Sequence, residues 1–150
     1  MITAQDLEDL GYFEACDEGP SYMTPMDMVK EFKYTANQLT NIEMSRKLIR
    51  EEFDEWLIEV LNPNGSNVAE LKELCDLIYV IYGYALNRNW DLDEALTRVH
   101  ENNMGRMFQD DGTIKRREDG KVIKNPLYPK VDLSDLVKLG RVGITKYKHV

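Results

Sequence analysis

Apolar residues recur at helical spacing in four stretches of this chain. In the first, Met28, Val29, Phe32 and Ala36 follow Thr24-Pro25-Met26-Asp27. That tetrad reads as a helix start, with Thr24 as N-cap, proline at the first helical position and an acid three residues after the cap. The pattern predicts a helix over 25–38. A second helix opens at Asn41, carries Ile49, Phe53, Trp56, Leu57 and Val60 on one stripe, and stops at Asn62-Pro63-Asn64-Gly65. Ser66 caps a third that reaches Asn87. Asp91, with Glu94 three later, caps a fourth, DLDEALTRVHENNMGRM. Short connections make sequential helices antiparallel neighbours. The expected fold is therefore all-α, an antiparallel bundle of about four core helices.

The flanks read differently. Residues 1–24 are acidic, with a weak helical period at Ile2, Leu7 and Leu10, and form an N-terminal arm. Beyond the core at 25–108 lies an extension over 109–150. It begins with the turn Asp110-Asp111-Gly112 and continues through TIKRREDGKVI, where Asp119-Gly120 fits a hairpin or an ordered loop. Pro126 and Pro129 forbid long regular structure, and DLSDLVKL allows one more short helix. The whole, 1–150, is read as one domain.

Composition narrows the function. With 150 residues, 43% apolar and 31% charged, the chain can bury a real interior. Its net charge of -8 argues against a nucleic-acid partner or an anionic membrane, both of which require a basic face. It leaves room for a small anionic substrate carried in by a divalent metal. Cys16 and Cys75 are too few for a disulfide scaffold, and Cys75 lies in an apolar run where a thiol behaves as a small hydrophobe. The N-terminus shows no signal-peptide pattern, and the apolar run from Leu74 to Leu86 is short and contains Asp76. These features predict a soluble cytoplasmic protein, or one of the host cytoplasm if the chain is viral.

The chemistry lies on the second and third helices. Within Arg50-Glu51-Glu52-Phe53-Asp54-Glu55, a helical wheel places Glu52, Glu55 and Glu59 in a band of roughly 60° bordering the apolar stripe. Glu51 and Asp54 point further toward solvent. The third helix reads Glu73-Leu74-Cys75-Asp76 and then Leu77-Ile78-Tyr79-Val80-Ile81-Tyr82, a pattern that predicts burial on every side. A carboxylate at Asp76 would then need a cation, a metal or a proton. Two adjacent helices thus each present a pair of acids three residues apart, and four converging carboxylates repel unless a divalent ion sits among them. Mg²⁺ suits an all-oxygen site that phosphates complete, and the lack of histidine or thiolate at these positions disfavours zinc. The competing reading is an ion pair between a buried Asp76 and an Arg or Lys from another helix, Arg46 or Arg98 for instance.

At this point the residues resemble a known family. Glu51-Glu52-x-x-Glu55 followed by Glu73-x-x-Asp76 is similar to the EExxE…ExxD signature of the all-α nucleoside triphosphate pyrophosphohydrolases. His100-x-x-Asn103-Met104-x-Arg106 and Arg117-x-Asp119-Gly120-Lys121-Val122-x-Lys124 resemble two later segments of the MazG-like branch, with arginine at 106 where lysine is usual. The resemblance spans about 25–133. It implies a Mg²⁺-dependent enzyme, with Mn²⁺ a possible substitute, that cleaves a (d)NTP to the monophosphate and pyrophosphate. It further implies Glu52, Glu55, Glu73 and Asp76 as metal ligands, and Glu51 or Glu52 as second-metal ligand or base. Asn103, Arg106, Lys121, Lys124 and Tyr128 become candidates for substrate contacts, and the subunits are expected to form a homodimer or homotetramer. His100 fits either a substrate contact or the helix C-terminal dipole. Trp56 and the third helix's tyrosines fit core or subunit interface. Two other readings stay open: a non-catalytic metal- or nucleotide-binding module, and a structural bundle with a buried ion pair.

Overall fold

The computed structural model describes residues 22–38 and 41–138. Nearly all of the predicted arm, Cys16 with it, and the tail beyond 138 lie outside the described residues. Five helices occur among them: α1 (Pro25–Thr35), α2 (Ile42–Leu61), α3 (Asn67–Asn87), α4 (Leu92–Met107) and the short α5 (Ser134–Lys138). The fold is all-α, and no helix here is long and apolar enough to cross a membrane.

Each start is set by its cap. Thr24 Oγ1 accepts from the Asp27 N–H at 3.2 Å while the Asp27 carboxylate accepts from the Thr24 N–H, a reciprocal capping box. Asn41, Ser66 and Asp91 each accept from the backbone N–H three residues on. The ends of α1 and α3 share one device. Asn37 and Asn89 adopt left-handed backbone with φ of 49° and 54°. After each, paired bonds close the last turn: Asn37 N–H to Tyr34 O and Gln38 N–H to Lys33 O, then Asn89 N–H to Leu86 O and Trp90 N–H to Ala85 O. This motif stops α1 at Thr35, three residues before the expected end. At the α2–α3 turn, a Cβ on Gly65 would come within 2.9 Å of the Glu59 carbonyl oxygen, so this tight reversal excludes a side chain there.

α2 and α3 pair along most of their length, α1 packs on α3, and α1 also meets α4. Met26, Val29, Tyr82 and Ala85 are the buried cluster, closed at one end by Leu86, Trp90 and Leu92. A polar network joins the three core helices. Lys33 Nζ donates to Gly83 O and Asn87 Oδ1, and Asn87 Nδ2 donates to the hydroxyl of the buried Ser45. Burial lowers the Lys33 pKa from its ordinary value.

The extension folds back along α4. Asn125 N–H donates to Arg106 O, Asn102 Nδ2 to Pro129 O, and the Arg98 guanidinium forks onto Asp135 of α5 at 2.8 and 3.0 Å. Its Asp119-Gly120 turn closes with one isolated antiparallel bridge, Arg116 to Val122, and Gly120 at φ 82°. This is an ordered loop, not a hairpin of strands.

One expectation needs correction. α3 is not buried on every side: Leu74, Ile78 and Ile81 are 38%, 47% and 38% exposed, and Cys75 is exposed as well. Among the described residues α1 and α2 pack along this helix, with Trp90 and Leu92 at one end, and part of its circumference is left open. Ile58 and Leu61 of α2 are likewise well exposed.

Candidate metal and phosphate site

Helical periodicity places Glu52 and Glu55 one turn apart on α2, and pairing with α3 brings Glu73 to them. A carboxylate oxygen from each of the three lies within 4.8 Å of the others. Glu52 and Glu73 are half-buried and Glu55 is exposed, so the trio sits at the rim of the α2–α3 interface. Burial, then the charges of Glu55, Asp76 and Glu73, push the Glu52 pKa above the usual carboxylate range. Lys72 works against that shift.

Glu73 is the most telling member. Its Oε1 pairs with Lys72 Nζ at 3.0 Å, but its Oε2 is buried without a hydrogen-bond partner. A buried carboxylate oxygen left unpartnered is costly, and a hard cation resolves the cost. The donors are all oxygens, the set a hard divalent ion such as Mg²⁺ takes, so the residues fit the implied metal.

Asp76 stands apart from the trio. It is 42% exposed, and its Oδ2 pairs with Lys72 at 2.8 Å. The partner is neither of the arginines considered from the sequence: Arg46 pairs with Glu43, and Arg98 with Glu94 and Asp135. The physical reason is spacing, since Lys72 precedes Asp76 by four residues on the same helical face. Hydrogen bonds to Asp76 and Glu73 raise the Lys72 pKa. Glu51 is exposed on α2 and lies outside the trio, and Asp54 turns to Arg50 at 3.1 Å. Trp56 packs its ring on Phe53 beside the site, and its indole N–H is buried without a partner.

The candidate substrate residues gather elsewhere. Lys124 Nζ donates to Asn103 Oδ1, joining the extension to α4. Arg106 has a buried Nε with no partner. Tyr128 lies against Gly105, where an added Cβ would run into the hydroxyl end of the ring. Lys121 is exposed near the turn, its backbone N–H held by Asp119, and His100 is exposed on α4. No hydrogen bond or ion pair among the described residues links this strip to the acid trio. Sequence reasoning passed over Lys72 and Gly105. The signal for Lys72 was its i, i+4 spacing to Asp76; Gly105 has no sequence signal apart from being a glycine inside a helix.

The sequence model of the family described as phosphoribosyl-ATP pyrophosphohydrolase matches residues 24–103. The match runs from the α1 N-cap through both acid pairs to Asn103, and Arg106, Lys121, Lys124 and Tyr128 lie beyond it. No curated protein matches the chain.

Proposed function

The chain belongs to the phosphoribosyl-ATP pyrophosphohydrolase family, within the MazG-like all-α nucleoside triphosphate pyrophosphohydrolase superfamily, and on that premise we propose that it hydrolyses a nucleoside triphosphate between the α- and β-phosphates, releasing the monophosphate and pyrophosphate. The observation that carries this reading is the carboxylate trio with the unpartnered, buried Glu73 Oε2. Glu52, Glu55 and Glu73, with Asp76, would hold Mg²⁺, for which Mn²⁺ can substitute. When bound, the ion supplies neutralisation of phosphate charge, polarisation of the phosphoryl oxygen and an acidified water.

The chain's own residues divide the remaining work. Glu52, half-buried within the trio, is placed to take a proton from the attacking water. Glu51, exposed and outside the trio, is the weaker candidate for that role. Arg106, Lys121 and Lys124 offer donors to phosphate oxygens and to the departing pyrophosphate. The unpartnered Arg106 Nε is an N–H that an anion would satisfy. Asn103 and Tyr128 border that strip and offer contacts to sugar and base.

A second copy of the chain completes this reading. Among the described residues no hydrogen bond or ion pair links the acid trio to the basic strip, and the exposed apolar residues of α2 and α3 offer a surface on which a homodimer or homotetramer can close. A partner's α4 would then face the acids.

The family description favours a second substrate reading, a triphosphate that carries an additional phosphoribosyl group. The test is product analysis after incubation with dNTPs, NTPs and phosphoribosyl-ATP, with Mg²⁺ or with chelator. Metal-dependent pyrophosphate release supports the proposal, and the preferred substrate decides between the two readings. A folded protein that binds nucleotide and metal but releases pyrophosphate from none of them would instead be the non-catalytic module.

A further inference from the structure

Lys72 touches two of the four expected ligands, and only one of those two joins the trio. Its Nζ lies 3.0 Å from Glu73 Oε1 and 2.8 Å from Asp76 Oδ2. Glu73 keeps its other oxygen beside Glu52 and Glu55, whereas Asp76 is turned to the ammonium and lies outside the 4.8 Å cluster. Both acids feel Glu52 through space, as does Lys72 with opposite sign. One ammonium therefore offsets part of the charge of an acid set to which, among the described residues, no other basic side chain is paired; Arg50 is engaged by Asp54.

We infer that Lys72 is the resident counter-ion of this site: it bridges Glu73 and Asp76 while no divalent ion is bound, and it must release Asp76 for the ion to gain its fourth carboxylate. The inference rests on the metal reading above and deepens it. A divalent ion among Glu52, Glu55 and Glu73 would repel an ammonium held against the same carboxylates, and Asp76, one turn after Glu73 on α3, would exchange one cation for the other. Two consequences follow. The acid set is tolerated in the folded chain before metal arrives, and divalent affinity is lowered by the competition. At separations of roughly 5–6 Å, repulsion between a divalent ion and an ammonium is enough even in water to change affinity about tenfold.

The test compares wild type with Lys72→Met, which keeps the stem and removes the charge, Lys72→Arg, which keeps the charge, and Lys47→Met, which removes an exposed charge from α2 without touching the acids. Mn²⁺ affinity is measured by calorimetry, and thermal unfolding is followed with Mn²⁺ and with chelator. The expected result is Mn²⁺ binding about tenfold tighter in Lys72→Met, with a lower Tm in chelator and a Tm near wild type in Mn²⁺. Lys72→Arg and Lys47→Met should stay within about twofold of wild type. Equal or weaker Mn²⁺ binding in Lys72→Met would overturn the counter-ion role and leave the metal site standing. So would an equal loss of Tm with and without Mn²⁺, or an equal gain in affinity in Lys47→Met. If Mn²⁺ binds neither wild type nor Lys72→Met, the metal reading and this inference fall together.

Discussion

On α2 and α3, three carboxylates from two helices sit within 4.8 Å of one another, and the charges of Glu55 and Glu73 add to burial in raising the Glu52 pKa. On α4, by contrast, Arg98, Asn102 and Asn103 are each bonded to the extension that folds back over that helix. The first region holds charge that Lys72 offsets only in part, with Glu73 Oε2 buried and unpartnered. The second has satisfied most of its polar groups internally, apart from the Arg106 Nε. Unbalanced charge that folding tolerates marks where a ligand must supply energy, and here the acidic region carries the larger imbalance. The basic strip is a pre-shaped surface whose contribution is to position, not to activate.

That difference can be broken by substitution. The largest effect is expected from Glu52→Gln, which keeps the shape and removes the base and a ligand: pyrophosphate release should fall by about 10²–10⁴-fold in steady-state assays. A comparable loss from a substitution in the basic strip would erase the distinction between the regions. Gly105→Leu sharpens it from the other side. The new side chain would displace Tyr128 and lift the extension from α4, so KM should rise about tenfold while Mn²⁺ affinity measured by calorimetry stays unchanged.

The acidic region should also respond to pH in two opposite ways. Metal binds the ionised carboxylate, and the Glu52 pKa is raised, so Mn²⁺ affinity should fall by up to about tenfold per pH unit once the pH drops below that raised value. In chelator the sign reverses for stability. Folded Glu52 holds its proton more tightly than the unfolded chain does, so its contribution is lost as the pH rises through the folded-state pKa. Glu52→Gln should therefore raise Tm in chelator at neutral pH by ~1–3 °C, a gain that disappears in acid. The smallest effect belongs to Arg98→Ala. It removes the exposed fork to Asp135 and the part-buried pair with Glu94, and Tm should drop by no more than ~2 °C with Mn²⁺ affinity unchanged.

How much of this was legible before the structure depended on the range of the interaction. The caps at Thr24, Asn41, Ser66 and Asp91 are local, and side chain and backbone lie within three residues, so the helix starts could be read directly. The end of α1 was missed because Asn37, unlike glycine, does not announce a left-handed residue, although the same device closes α3 at Asn89. The facing of Glu52 and Glu55 toward Glu73 followed from periodicity together with a short turn. Asp76 was harder. Its surrounding run of apolar residues predicts burial, yet the described helices leave one side of α3 exposed, and the nearby Lys72 takes the carboxylate. The folding of the extension onto α4 rests on pairings such as Asn102 with Pro129 and Gly105 with Tyr128, which no local pattern encodes.

The central claim is that Glu52, Glu55 and Glu73 form a divalent-cation site. Calorimetric titration of Mn²⁺ into wild type and Glu73→Gln tests it most directly. Saturable binding to wild type, weakened at least ~100-fold by the substitution, is the predicted result. Equal binding to both proteins, or none to folded wild type, would contradict it.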